Sequence, residues 1–177
     1  KELNGALADA FRWDDKVLVE KAINAREVEC SVTGNATPDG GEDKAEAVTA
    51  YIPGEIAPTH TFYDYDDKYN DPNGAALKIP ADLDKAMLEK VRTTAAAAYK
   101  ALDASGLSRV DFFVDRDTNT LYLNEINTLP GFTSISMFPK LCEAAGLKFT
   151  DLTELLLQEA VLRFKATHSL QTSRSDE

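Results

Sequence analysis

The sequence predicts an α+β domain with a largely antiparallel sheet, because short strand-like segments lie close together in hairpins and helical segments flank them. Two strand-like segments, Ser108–Val114 and Thr120–Asn127, are separated by a turn at 115–119. The clearest helical pattern is Asp82–Asp103, where apolar residues recur at spacings of three and four and Gly106 follows as a stop signal. A chain of 177 residues is long enough for one domain with a hydrophobic core.

The other elements follow from apolar periodicity and from turn residues. The further predicted helices are Glu2–Phe11, Ser136–Ala145 and Asp151–Phe164. The further predicted strands are Lys16–Glu20, Arg26–Thr33 and Glu46–Tyr51, the last ended by a turn at Pro53-Gly54. The segments expected to be exposed or irregular are Asn35–Lys44, Pro58–Ala75 and His168–Glu177. The core side of the two long helices is expected to carry Leu88, Val91, Ala95, Ala98, Leu102, Leu152, Leu155, Leu156 and Ala160.

Composition and charge argue against several classes of function. The formal net charge of −11 argues against DNA or RNA as the main partner, since binding phosphates along a nucleic acid requires clustered Lys and Arg. The chain has no apolar run of the length that spans a bilayer, so no membrane segment is expected. No signal peptide is visible, and the two cysteines, Cys30 and Cys142, are expected to be buried thiols in a reducing compartment. We therefore expect a cytoplasmic protein.

The segment from Arg109 to Asn127 carries the strongest chemical pattern. Residues two apart in a strand point to the same face, so Glu125 projects together with Asn127, and Arg109 together with Asp111. If the two strands pair as a hairpin, one face gathers Asp111, Glu125 and Asn127. Two carboxylates and one amide oxygen suit magnesium shared with ATP. Spacing alone leaves open a second interpretation, a solvated polar sheet face without a ligand.

A longer motif favours the metal site. Ser108–Asp111, followed by Tyr122–Thr133, resembles the carboxyl-terminal signature of D-alanine–D-alanine ligases of the ATP-grasp superfamily. The resemblance implies that Asp111, Glu125 and Asn127 bind two magnesium ions, for which manganese can substitute. It also implies an ATP-grasp carboxyl-terminal domain with the end of the central subdomain at its start.

The same resemblance assigns the acyl-transfer chemistry. Arg109 and the Gly131 N–H would stabilise the oxyanion of a tetrahedral intermediate. Ser136 and the Met137 N–H would hold the carboxylate of the second D-alanine, which agrees with the general ability of helix amino termini to bind anions.

Two upstream segments extend the resemblance. Val17–Lys21, followed by Arg26–Glu29, is similar to the adenine-binding hinge of the family. The cofactor-binding residues that this similarity implies are Glu20 at the adenine amino group, Lys21 and Ile23 along the base, and Glu27 at the ribose. Asn124, within the later motif, is assigned to the cofactor on the same grounds.

Phe62–Tyr69 resembles the mobile omega loop of the family, and the segment is unusual because Tyr63–Asp71 holds three tyrosines and four aspartates. In this loop Phe62 and Tyr63 would pack near the nucleotide, and Lys68 would reach the phosphates. Tyr69 would help to close the second-substrate pocket, as in the ligases that form a dipeptide rather than an ester.

The resemblance implies ATP-dependent joining of two D-alanines through an acyl phosphate, for peptidoglycan precursor synthesis. The implied organisation is 1–19 as the end of the central subdomain, 20–165 as the catalytic domain with its omega loop at about 59–75, and 166–177 as a polar tail. The family's amino-terminal domain and phosphate-binding loop are expected to precede Lys1, so the chain alone is expected to be inactive. The resemblance also implies that the full-length protein is a homodimer.

Three other functions remain open at this point. A ligase of the same kind could use D-lactate or D-serine as its second substrate. The chain could be a non-catalytic nucleotide- or metal-binding module derived from an ATP-grasp enzyme. A hydrolase that uses Asp111 and Glu125 as a carboxylate pair is the third, but it gives no reason for Asn127 or for the hinge glutamates.

Overall fold

Six strands form one antiparallel sheet in the computed structural model, which describes residues 2–35, 48–58 and 75–170. The helices are α1 (Glu2–Ala10), α2 (Lys85–Ala101), α3 (Met137–Ala144) and α4 (Phe149–His168). The strands are β1 (Ala25–Asn35), β2 (Val48–Ala50), β3 (Gly54–Pro58), β4 (Ala75–Lys78), β5 (Ser105–Asp115) and β6 (Leu121–Asn127). The α+β class predicted from the sequence is confirmed.

The sheet is organised around β1. Its order is β4-β3-β1-β5-β6, and β2 pairs with the end of β1 beyond β3. β1 and β5 pair along their full lengths, from Ala25 opposite Asp115 to Asn35 opposite Ser105. Because side chains alternate between faces along a strand, β1 contributes to both faces of the sheet over its whole length.

One face of the sheet holds the main hydrophobic core against α2. The side chain of Asp84 accepts a hydrogen bond from the Met87 N–H at 2.8 Å and so caps the start of this helix. The buried residues of this core are Val28, Cys30, Val32, Ala50, Ala81, Met87, Val91, Ala95, Tyr99, Val110, Phe112 and Val114. Tyr99 reaches across the core and donates to the Gly34 carbonyl at 2.7 Å.

Among the described elements, α3 and α4 cover part of the opposite face. The Ser31 hydroxyl donates to the Phe138 carbonyl at 3.0 Å, and Asn35 donates to the carbonyl of Glu159 at 3.3 Å, which attaches both helices to β1. Close approach of α3 to β3 depends on Gly54, because a Cβ there would lie 2.7 Å from Leu141 Cδ2. The part of this face that precedes Ser31 in β1 carries the candidate site.

Several local predictions are wrong. Lys16–Glu20 is not a strand: it pairs with none of the described strands, and Leu18 is 87% exposed. The Pro53-Gly54 turn is replaced by the start of β3, and both β3 and β4 lie in segments that were not predicted as strands. Leu102 does not face the core but is 64% exposed. A segment with strand propensity forms a strand only where a neighbouring strand can pair with it.

The helix boundaries differ modestly from those predicted. α4 continues to His168, beyond the predicted end at Phe164, so residues 166–168 are helical rather than part of a tail. In the same helix Leu152 is buried as predicted, but Ala160 is exposed. No helix within the described ranges has the length and apolar character needed to cross a bilayer.

The burial predicted for the two cysteines is confirmed. Cys30 and Cys142 are both buried free thiols. Burial, which penalises the charged thiolate, raises the pKa of each to about 12.

Candidate functional site

Three adjacent strands align acidic side chains on the second face, in the part that neither α3 nor α4 covers. In the sheet register Glu29 of β1 lies opposite Asp111 of β5, and Asp111 lies opposite Glu125 of β6. One pair further along the hairpin, Arg109 lies opposite Asn127. The hairpin predicted from the sequence therefore does bring Asp111, Glu125 and Asn127 onto one face with Arg109.

A cavity of about 210 Å³ opens over this row. Its acidic and amide lining residues are Glu27, Glu29, Asp111, Asn124 and Glu125. The register shifts between Asp111 and Phe112, so that Asn124 has no opposite residue in the β5–β6 pairing. Bulges of this kind re-aim a side chain next to a site, and here the bulge lies at the cavity.

Arg109 is the cation of the site. Its Nε donates to Asp111 Oδ1 and its Nη2 to Asp111 Oδ2, both at 2.7 Å, and its Nε is also 3.1 Å from Glu29 Oε2. Burial alone would lower the pKa of Arg109, but the hydrogen bonds to Asp111 and the charges of Glu29, Asp111 and Glu125 raise it well above its usual range. The guanidinium is therefore a permanent positive charge among carboxylates.

The oxygen donors suit a hard cation such as magnesium, which usually takes one or two carboxylates together with phosphate oxygens. Asp111 and Glu125 supply the carboxylates from opposite positions, and Asn127 supplies an amide oxygen that accepts from the Leu129 N–H at 3.3 Å. Within the described ranges no three Asp, Glu, His or Cys side chains surround one point as a ready-made metal site. Arg109 occupies both oxygens of Asp111 instead.

The chain after β6 forms a loop that leads into α3. Ser136 takes the N-cap position of α3 with an extended backbone, and its hydroxyl accepts from the Thr133 N–H at 3.2 Å. A Cβ on Gly131 would lie 2.8 Å from Ser136 Oγ, so this close approach requires glycine. Met137 opens the helix with its side chain buried against Ile56 and Leu141.

The remaining predicted residues fall into two groups. Glu20, Lys21 and Ile23 lie in the coil before β1, the first two exposed and Ile23 half-buried, and they do not line the cavity. The four residues predicted in the omega loop lie outside the described residues: Phe62, Tyr63, Lys68 and Tyr69.

Glu29 is a charged residue of the cavity to which the sequence analysis gave no role. Its side chain is buried, it lines the cavity, and it contacts Arg109. The alternation of β1 could have placed Glu29 on the same face as Glu27, which was assigned to the ribose, but its position opposite Asp111 depends on the pairing of β1 with β5.

The chain matches the family model described as D-ala D-ala ligase C-terminus over residues 1–158. It is 56% identical over 173 residues to the D-alanine–D-alanine ligase of Treponema denticola, covering 98% of this chain and 44% of the relative. It is 50% identical over 166 residues to that of Clostridium acetobutylicum, covering 94% and 45%.

Solved structures agree. The D-alanine-D-alanine ligase from Coxiella burnetii superposes with a TM-score of 0.75 at 34% identity, covering 95% of this chain and 41% of that one. The VanG D-Ala:D-Ser ligase from Enterococcus faecalis gives 0.72 at 34% identity, covering 89% and 42%. The predicted fold, an ATP-grasp carboxyl-terminal domain, is confirmed.

The match covers nearly all of this chain but less than half the length of each of these relatives. The family model matches this chain as far as residue 158, so the matched part includes β1, β5, β6 and the loop into α3. This chain belongs to the family of D-alanine–D-alanine ligase carboxyl-terminal domains.

Proposed function

We propose that this chain is the magnesium–ATP and second-substrate half of a longer ligase that joins two D-alanines. ATP would phosphorylate the carboxylate of one D-alanine, the amine of the second would attack the acyl phosphate, and D-alanyl-D-alanine, ADP and phosphate would leave. The product would serve peptidoglycan precursor synthesis in the cytoplasm. The observation that carries the proposal is the row Glu29–Asp111–Glu125 across three strands, with Arg109 placed among its carboxylates.

The cavity would take the phosphate end of the nucleotide. Asp111, Glu125 and Asn127 would bind two magnesium ions, or manganese in their place, and the metal would supply charge neutralisation for the phosphates. Glu27, at the other end of the same cavity wall, would accept from the ribose hydroxyls. Asn124, aimed by the bulge, would contact the cofactor between them.

The adenine would be bound outside this cavity. Glu20, Lys21 and Ile23 would bind the base from the segment before β1, where Glu20 and Lys21 are exposed. The omega-loop residues keep the cofactor and closing roles implied by the resemblance: Phe62, Tyr63, Lys68 and Tyr69.

Arg109 and the backbone N–H of Gly131 would stabilise the negative charge that develops on the acyl oxygen. Arg109 suits this role because it remains charged and presents a rigid fork of donors. The hydroxyl of Ser136 and the N–H of Met137, at the start of α3, would hold the carboxylate of the second D-alanine. The protein's work is then mainly positioning and electrostatics, as is general for phosphoryl transfer.

Glu125→Gln in the longer ligase tests the metal assignment. ADP release in the presence of D-alanine should fall by about 100-fold or more, because one metal-binding carboxylate is lost while the shape of the side chain is kept. Glu143→Gln, at an exposed position on α3, is the matched control and should leave the rate unchanged. A Glu125→Gln enzyme with a normal rate would remove Glu125 from the metal site.

D-serine or D-lactate as the second substrate is the alternative within the same chemistry. The likeness to a D-Ala:D-Ser ligase structure favours keeping D-serine in the test, although the D-alanine–D-alanine ligases of Treponema denticola and Clostridium acetobutylicum are more similar in sequence. The longer ligase, given ATP and D-alanine together with equal D-serine or D-lactate, should yield mainly D-alanyl-D-alanine by mass spectrometry. A main product ending in serine or lactate would replace the proposal with the alternative.

A homodimer is the proposed assembly of the longer ligase. Light scattering should give twice the monomer mass, and a monomeric mass at assay concentration would contradict it.

A further inference from the structure

Glu29 approaches Arg109 from the side of β1, while Asp111 belongs to the same strand as the arginine. The side chains of Glu29 and Arg109 are only 5% and 11% exposed, and Glu29 Oε2 lies 3.1 Å from Arg109 Nε. Taking a carboxylate this far out of water carries a large desolvation penalty unless a charge compensates it. The guanidinium of Arg109 supplies that charge.

The guanidinium of Arg109 also donates two hydrogen bonds to Asp111. Arg109 Nε and Nη2 both donate to Asp111, at 2.7 Å each. In the proposed function Asp111 also binds metal, so the metal and Arg109 draw on the same two carboxylate oxygens. An arginine held by Asp111 alone would lose its anchor when those oxygens turn toward a cation.

We propose that Glu29 is a positioning residue that keeps Arg109 at the cavity when Asp111 is shared with metal. The inference rests on the proposed function, in which Arg109 meets the charge that develops during acyl transfer. Glu29 comes from a different strand, so its hold on Arg109 does not depend on the orientation of the Asp111 side chain. Glu29 acts through Arg109 and does not itself touch the reacting atoms.

Glu29 also lines the cavity, so a direct role in metal binding is the competing explanation. The two roles differ in what they change. A positioning residue affects kcat through Arg109 and leaves metal affinity nearly intact, whereas a metal ligand affects metal affinity whether or not Arg109 is present.

The test is a double-mutant cycle in the longer ligase, with Glu29→Gln, Arg109→Met and the double variant. Glu29→Gln should lower kcat by up to about 100-fold, the scale of a misplaced catalytic group, with the KM for ATP nearly unchanged. Calorimetric titration of Mn²⁺ in the presence of ADP should give a Kd within about threefold of the parent, well short of the tenfold expected for a lost ligand interaction. In the Arg109→Met background, adding Glu29→Gln should produce no further loss in kcat.

Three outcomes would overturn the inference: an unchanged kcat in Glu29→Gln, a Mn²⁺ Kd raised tenfold or more, or losses that multiply in the double variant. The cycle is repeated with Arg109→Lys, which keeps a buried charge but not the fork, so that a misfolded Arg109→Met variant does not decide the test. If Arg109→Met or Arg109→Lys itself left kcat unchanged, the proposed function of Arg109 would fail rather than the role of Glu29.

Glu55→Gln is the matched structural control, since it removes another buried carboxylate from an arginine in the same sheet. It should lower stability without changing kcat per folded molecule. Urea unfolding of all variants shows how much of any loss in activity comes from unfolding alone.

Discussion

Two arginines of this sheet pair with buried carboxylates, one on each face, and their surroundings differ in charge. On the α2 face Arg26 donates to both oxygens of Glu55, at 2.8 and 2.6 Å, and one acid matches one base. On the site face Arg109 lies within ion-pair distance of both Glu29 and Asp111. The first arrangement is balanced in charge, whereas the second has an excess of negative charge.

We interpret this difference as that between a structural ion pair and a candidate binding site. Burial alone would raise the pKa of Glu55, but the hydrogen bonds and charge of Arg26 lower it, with help from Lys78. The pair is complete and needs nothing from outside. Around Arg109 the charge of Glu125 is added to those of its two ion-pair partners, and this excess of carboxylates suits an additional cation such as magnesium.

Asp111→Asn in the longer ligase is the strongest test of the difference between the two arginine sites. Removing one charge at the unbalanced site should lower kcat by about 100-fold to 1,000-fold, because both the metal and Arg109 lose a partner. Mn²⁺ titration should show the matching loss of affinity. If the variant kept both its activity and its Mn²⁺ affinity, the cluster around Arg109 would be a structural ion pair like that of Arg26 and Glu55.

Gly131→Ala should have the next largest effect, mainly on the second substrate, because the backbone N–H proposed to stabilise the acyl oxygen is kept. The added methyl would lie 2.8 Å from Ser136 Oγ, so the hydroxyl must move from its position at the start of α3. The KM for the second D-alanine should rise by about 10-fold to 100-fold, with the KM for ATP much less affected. Gly5→Ala, where nothing lies within 4 Å of the new methyl, is the control and should leave both constants unchanged.

The smallest effect on activity is expected for the Arg26–Glu55 pair on the α2 face. Glu55→Gln should lower the free energy of unfolding by about 1–3 kcal/mol, since Arg26 keeps a hydrogen-bond acceptor but loses the opposite charge. Because folding lowers the pKa of Glu55 from its ordinary value of 4.5, its contribution is full above that pH and lost as the pH falls below it.

Urea unfolding of the parent and Glu55→Gln across this range should therefore show a stability gap at neutral pH that closes in acid. A gap that stays constant with pH would mean that the charge of Glu55 contributes nothing.

The parts of the fold that were predicted correctly have patterns that are complete within a short stretch. α2 shows helical spacing over its whole length, and the β5–β6 hairpin is marked by its turn. β3 and β4 were missed because they are short and become strands only by pairing along β1 and with each other. The prediction for Lys16–Glu20 failed for the opposite reason, because this segment has strand propensity but pairs with none of the described strands.

The site divides in the same way. Asp111, Glu125 and Asn127 could be grouped from the sequence, because the alternation of two strands joined by one hairpin places them together. The place of Glu29 depends on the pairing of β1 with β5, which are far apart in the chain, and no local pattern records that register. The resemblance of the longer motif to the family, rather than spacing, favours a metal site over a solvated face.

The alternation of β1 has a consequence for how this protein can change. Even-numbered residues such as Val28 fill the hydrophobic core, whereas the intervening Glu27 and Glu29 line the cavity and Ser31 holds α3. Inserting or deleting one residue would exchange the two sets, placing carboxylates in the core and valines in the cavity. A change of length in this strand would therefore disturb both faces unless a bulge absorbed it, as one does between β5 and β6, whereas substitution at alternate positions alters the cavity and leaves the core intact.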